Sequence, residues 1–349
     1  MLKLGDFLGN ERLVHLLRGA QLPPASLFRG PDGVGKKTLA HGLATLANCH
    51  RPVDHDICGC CSSCVKARSG HHPDILVTTP DWIRRFMESK GKRYNPRILS
   101  IEVTREIIRQ AQFLPYEGRL HFFIIDCAEK MTDEAANALL KTLEEPPERT
   151  RLVLVTAYPY RLLPTIRSRC RTFSFQPLKR EEIRRHLRTR VQEEEVELRS
   201  AFAGGSIGAA LALDLKTTLA DRDRVLDVLA QWIQTHSFER IYDVCERDPL
   251  RKLLKDRERV GRLLELMGLI VEDLYYVGVN TRRRLLNGDR TSQLQDLAGS
   301  VSPVWCRAFL NRIREAEEDL SHYVSPLMCF EGVWLKDQAN HVGRRHRQI

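Results

Sequence analysis

Through the first half of the chain, short apolar runs alternate with stretches of helical periodicity. ASLFRG (25–30), DILVTT (74–79), LHFFIID (120–126), RLVLVTA (151–157) and RTFSF (171–175) are apolar on both faces. Such runs predict strands of a parallel sheet covered by helices on either side. TLAHGLATLA (38–47) predicts a helix directly after the first strand. A second helix is predicted over Thr132–Leu143, with Thr132 as its N-cap, Asp133 and Glu134 in its first turn and a stop at Pro146-Pro147.

After FQPL (175–178) the pattern changes. KREEIRRHLRTRVQEEEVEL and GGSIGAALALDL predict a small, charged helical unit. From about Thr217 onward every strong pattern is helical, as in LADRDRVLDVLAQWI, RVGRLLELMGLIVEDLYY and PVWCRAFLNRIREAEEDL. No internal repeat is present. The predicted division is 1–176 for the α/β part, 177–215 for the small helical unit and 216–349 for an all-helical domain. A length of 349 residues suits two or three such domains.

Composition narrows the class. Hydrophobic content of 42% with 29% charged residues is that of a globular protein. No apolar run reaches the ~18 residues that span a bilayer. The start, MLKLGDFLGNERL, lacks the basic, apolar and small-residue regions of a signal peptide, so a cytoplasmic location without a membrane partner is expected. The net charge of +10 is uneven. Residues 1–215 hold 33 Lys and Arg against 25 Asp and Glu, a net of +8, whereas 216–349 hold 22 against 20, a net of +2. The basic excess thus belongs to the part that carries the motifs, although a solvated basic surface explains it equally well. The arginine runs Arg282–Arg284 and Arg344–Arg347 are short and are expected to be surface clusters.

Between the first strand and the helix lies GPDGVGKKT (30–38), close to the phosphate-binding pattern G-x-x-x-x-G-K-[ST]. Gly30, Gly33 and Gly35 let the backbone wrap an anion, and Lys36 would reach its outer phosphates. The hydroxyl that normally gives magnesium an oxygen is replaced by Lys37, and Thr38 comes one residue late. Asp126 ends an apolar strand, where such proteins hold the metal. The residue after it is Cys127, which has neither the charge nor the basicity to ready a water. Glu129, two further on, is expected to be a solvated or helix-capping acid. Thr156, at the end of RLVLVT, is placed to contact a γ-phosphate or is a plain strand-end threonine.

Ten cysteines in an intracellular chain argue against a disulfide framework, and five of them fall within 49–64. Cys49, Cys58, Cys61 and Cys64 have the spacing C-x8-C-x2-C-x2-C, which suits a closed tetrahedral zinc site of structural type. Cys60 is an alternative fourth ligand by spacing. His71-His72-Pro73-Asp74 reads as a turn rather than a second metal site.

TIRSRC (165–170) places Arg167 and Arg169 just before the final strand. By chemistry alone each is either paired locally with a carboxylate or presented to a phosphoryl group on a neighbouring subunit.

The stretch HFFIIDCAEKMTDEAANALLKTLEEPPERTRLVLVTAYPYRLLPTIRSRC resembles the core of bacterial clamp-loader subunits of DNA polymerase III, in the AAA+ superfamily. The cysteine insertion and HHPD agree with it, and the match is specific over about residues 5–215. The resemblance implies an AAA+ P-loop domain with a parallel sheet, a small helical lid, and a C-terminal helical collar that joins a ring. It implies gamma/tau and delta subunits, a sliding clamp and primer-template DNA as partners in DNA replication. ATP-hydrolysing gamma/tau members have a hydroxyl after the loop lysine, a Glu after the strand-end Asp and an arginine in the lid motif G-S-x-R. This chain has Lys37, Cys127 and Gly208 at those positions. The resemblance therefore implies the delta-prime kind, with Arg169 as a finger in trans, structural zinc, and weak or absent binding of ATP and magnesium. The alternatives are an active gamma/tau-type ATPase, using Thr38 or a shifted loop, and a nucleic-acid module using the basic excess directly. The last lacks a stacking-aromatic pattern, with aromatics at only 7%.

Overall fold

The computed structural model describes residues 3–19, 22–246, 250–281, 285–321 and 324–345. Arg282–Arg284 lie outside the described residues, as do the side chains of the run that begins at Arg344.

The apolar runs form five strands: β1 (Ala25–Arg29), β2 (Ile75–Val77), β3 (His121–Ile125), β4 (Thr150–Thr156) and β5 (Arg171–Ser174). They build one parallel sheet in the order β2-β3-β4-β1-β5. Every residue of β3 and β4 is buried, as both-face apolarity demands of central strands. Neighbouring side chains leave to opposite faces. Leu27, Phe123, Ile125, Leu152 and Leu154 join one apolar cluster; Phe28, Phe122, Ile124, Val153 and Val155 join another. β5 differs from the expectation. Only its Phe173 is buried, with Arg171, Thr172 and Ser174 exposed, because an edge strand is covered on fewer sides.

The helices of the first half are α1 (Glu11–Gly19), α2 (Lys36–Ala47), α3 (Ser62–Arg68), α4 (Pro80–Ser89), α5 (Ile101–Ala111), α6 (Asp133–Glu144) and α7 (Pro164–Arg169). Thr132 caps α6 by accepting the amide of Ala135 at 3.2 Å, and the helix ends just before Pro146. α4 begins the same way. Thr79 accepts from the Trp82 amide at 3.2 Å, Pro80 takes the first turn, and Asp81 follows.

Further on come α8 (Arg180–Leu187), α9 (Glu193–Ala201), α10 (Ile207–Ala212), α11 (Leu215–Thr235), α12 (Phe238–Cys245), α13 (Leu250–Leu253), α14 (Arg257–Gly278), α15 (Thr291–Ala298), α16 (Pro303–Ser321) and α17 (Pro326–Arg345). The chain forms two compact units. One holds 1–190 and 203–212, and the other 191–202 and 213–349. Helices α8 and α10 thus belong to the first unit, and α9 to the second.

The second unit is organised around α14, which packs against α11, α15, α16 and α17. Its Val260, Leu263, Leu264, Met267, Ile270, Val271 and Leu274 are all buried, the spacing of a helix enclosed by neighbours. Within this apolar core sits Asp337, fully buried. Its carboxylate accepts from the indoles of Trp232 at 2.7 Å and Trp305 at 3.0 Å and pairs with Arg312 at 2.5 Å. Among the described residues, no helix is long and apolar enough to cross a membrane.

Candidate functional site: a glycine loop, a cysteine knuckle and a paired arginine

The glycine loop joins β1 to α2 at the C-terminal edge of the sheet, where open α/β folds place their ligands. Gly30, Gly33 and Gly35 all take positive φ, of 145°, 70° and 94°. At Gly33 the reason is also spatial. A Cβ there would lie 2.1 Å from Ser206 Oγ and 3.3 Å from Gly208 Cα. The start of α10 sits directly on the loop, and the Gly208 amide donates to the Gly33 carbonyl at 3.1 Å.

Both lysines of the loop are engaged by the chain itself. Lys36 is buried, and its Nζ donates to the carbonyls of Gly30 and Pro31, each at 2.6 Å. Burial lowers its pKa, against the opposing pull of Asp32, Glu129 and Asp126. Lys37 Nζ lies 2.8 Å from Asp126 Oδ2. The backbone of Asp126 is in turn held by its amide donating to Thr78 Oγ1 at 2.9 Å. Magnesium at such a site draws on a hydroxyl after the loop lysine and on the strand-end acid. Here an ammonium stands in the first place and neutralises the second, so these residues do not fit the ion.

The remaining predicted residues, Thr38, Cys127, Glu129 and Thr156, line one cavity together with Lys36, Lys37 and Asp126. Thr156 is buried, and its hydroxyl accepts from the Tyr158 amide at 3.0 Å, the role of a strand-end threonine. Thr38 is exposed. Cys127 takes a left-handed backbone, φ 51°, and burial pushes its thiol up, away from the thiolate. Glu129 departs from the expectation of a solvated or capping acid. It lines the same cavity of about 440 Å³, and its Oε2 is buried with no hydrogen-bond partner among the described residues. The 3-10 turn Ala128–Lys130 that follows β3 carries it inward, and no spacing rule foretold that turn.

Arg169 ends α7. Its guanidinium pairs with Glu144, the last residue of α6, and donates to the Thr165 carbonyl at 3.0 Å, with the side chain 32% exposed. The local pairing is thus present, and a third of the side chain still reaches solvent. Arg167 lies over the Tyr160 ring, 5.8 Å from its centroid.

Cys49, Cys58, Cys61 and Cys64 converge, with all four sulfurs within 4.8 Å of one another. Sulfur separations are 3.6 Å for Cys49–Cys58, 4.0 Å for Cys49–Cys61, 3.9 Å for Cys58–Cys64 and 3.6 Å for Cys49–Cys64. A tetrahedron with zinc–sulfur bonds of ~2.3 Å has edges of ~3.8 Å, so the set fits a metal of that size. The amides of Cys58, Cys61 and Cys64 point at the sulfurs of Cys49, Cys58 and Cys61, at 3.5, 3.4 and 3.5 Å. Amides of Cys60 and Cys61 hold the Cys58 thiol down at about 6. Cys60 is exposed, and its sulfur lies outside the group. Sequence reasoning missed Asp56, whose carboxylate accepts from the amides of Leu4 at 3.0 Å and Gly5 at 2.8 Å. His72 is part of a buried turn, as expected, bonded to Ser63 Oγ at 3.0 Å and to the Asp74 amide at 3.1 Å.

The profile of a family described as DNA polymerase III, delta subunit, matches residues 10–179. The chain is 30% identical over 327 residues to DNA polymerase III subunit delta' of Escherichia coli strain K12, covering 93% of this chain and 88% of that protein. It is 30% identical over 275 residues to delta' of Bacillus subtilis strain 168, covering 77% of each. It is also 32% identical over 359 residues to subunit tau of E. coli, covering 96% of this chain and 54% of tau. The chain thus spans about half the length of the tau-type relatives. From the parallel sheet, the glycine loop and these likenesses together, the chain belongs to the clamp-loader subunit family of DNA polymerase III, within the AAA+ proteins.

Proposed function

We propose that this chain is a clamp-loader subunit of the delta-prime kind, which does not itself hydrolyse ATP. In this reading it holds a place in a ring with gamma/tau and delta subunits, and lends Arg169 to a neighbour's nucleotide. It helps to load a sliding clamp onto primer-template DNA during replication. The cysteine group holds one structural zinc, and its closed set of ligands leaves no position for catalysis.

The observation that carries the reading is the Lys37–Asp126 ion pair, which puts a fixed cation where a hydrolytic site needs a mobile divalent one. The lid helix bears on it too. Gly208 occupies the position at which hydrolysing members carry an arginine, and its backbone closes onto Gly33. An active gamma/tau-type ATPase would need Lys37 to leave Asp126 and Thr38 to take its place.

The test is turnover of ATP by the purified chain, alone and reconstituted with its partner subunits. The expected outcome is no turnover alone. Arg169→Ala should cut turnover of the assembled complex by ~10³-fold, the usual loss for a transition-state arginine. Glu144→Gln should leave the assembled rate near the parental value, since Arg169 keeps its charge. Brisk hydrolysis by the lone chain, or an Arg169→Ala complex at the parental rate, would refute the proposal.

A further inference from the structure

The first unit has a second cavity besides the one above the glycine loop. It has a volume of about 660 Å³ and lies against the outer edge of β2, walled by α2, α3 and α4. β2 ends the sheet, so β3 covers one side of it only and the other side faces this space. The two cavities share Lys37 and Thr38, in the first turn of α2, and are otherwise lined by different residues. The volume is in the range that holds a small organic ligand.

Its charge is one-sided. Arg68 from α3 and Arg85 from α4 line it, and among the described residues no Asp or Glu does. Each guanidinium is anchored through one nitrogen. Arg68 Nη2 donates to the Gly59 carbonyl at 2.6 Å, and Arg85 Nε to the Asp81 carbonyl at 3.3 Å. The rest of each fork remains to meet an oxyanion. Lys37 contributes its aliphatic stem, its ammonium being taken by Asp126.

The wall also carries Trp82, whose indole stacks on Phe86 with centroids 5.6 Å apart and planes within 3°. A ring held from behind in this way is a ready platform for a planar group. Burial lowers the pKa of His41 and His72 on this wall, and both ring nitrogens of His72 are already engaged, by Ser63 Oγ and the Asp74 amide.

We propose that this cavity binds a nucleotide, with its base on Trp82 and its phosphate on Arg68 and Arg85. The site adjoins the glycine loop only at Lys37 and Thr38 and does not rest on the clamp-loader reading. A free nucleotide and the end of a single DNA strand offer the same base and phosphate, and the experiment distinguishes them.

Trp82 is the one tryptophan of the first unit; the other three, Trp232, Trp305 and Trp334, are buried in the second. Quenching of its emission therefore reports occupancy directly. The full-length chain would be titrated with AMP, which lacks the outer phosphates that a glycine loop cradles, and separately with a short oligothymidylate. Calorimetry on the same samples gives the affinity without the fluorophore. Saturable binding is expected, weakened roughly tenfold or more by Arg68→Ala and by Arg85→Ala. Arg85 is exposed and on a different helix from the cysteines, so its replacement tests the site without disturbing them. Binding of AMP alone assigns a free nucleotide, and binding of the oligomer alone assigns a strand end. Absence of saturable binding by both probes, or binding that survives both arginine replacements, overturns the proposal.

Discussion

Lys37 Nζ sits 2.8 Å from Asp126 Oδ2, joining the residue after the loop lysine to the acid that ends β3. Across this contact the first turn of α2 is tied to the end of the central strands by charge. Lys37→Thr with Cys127→Glu restores the hydroxyl and the acid in one step. Magnesium-dependent affinity for ATP is expected to rise, by about tenfold or more if one charge-assisted contact to the ion is regained. Equilibrium binding with and without magnesium measures it, and equal affinities in both conditions would count against the assignment.

The cysteine group predicts one zinc per chain by elemental analysis. Cys61→Ser or Cys64→Ser should lower the metal content sharply, whereas Cys60→Ser should retain it, since its side chain lies outside the set. Removing the metal with a chelator should also loosen the N-terminal segment, because Asp56 of this insertion holds the amides of Leu4 and Gly5. Proteolysis near the N-terminus would report it.

His121 supplies a pH dependence. It is buried at the start of β3, and burial lowers its pKa below 6.5. The unfolded chain therefore binds a proton more readily than the fold does. Stability is fully present above the unfolded value and declines as pH falls from ~6.5 toward the folded one. His41 and His72 add in the same direction. Thermal midpoints taken from about pH 7.5 to about pH 5.5 should fall, and His121→Phe should flatten the slope.

In the helical unit, Asp337→Ala leaves Arg312 and two indole N–H groups without their acceptor. Stranding a buried charge costs about 3–5 kcal/mol. Three of the four tryptophans lie in this unit, so urea unfolding followed by their emission reads the loss.

The strands, the loop and the cysteine knuckle were legible because each is a local pattern. Phe122–Ile125 is apolar on both faces and buried on both, and C-x2-C spacing leaves a backbone few other ways to turn. β5 was legible as a strand but not as an edge, since cover depends on what packs above it. The helices α4 and α5 passed unremarked, although Thr79-Pro80-Asp81 is a start signal of the kind that identified α6. The approach of Gly208 to Gly33 could not be read, because it joins residues far apart in the chain through backbone alone. Glu129 misled for a related reason. Its direction is set by a single 3-10 turn after a residue at positive φ, and periodicity carries no information on such turns.

A counter-ion bonded covalently to the backbone cannot be chelated away, competed off or diluted. Asp126 therefore keeps the same neutralising partner whether divalent salts are scarce or abundant. The shape of the loop beside it should be constant across ionic conditions that would reshape a metal-dependent neighbour.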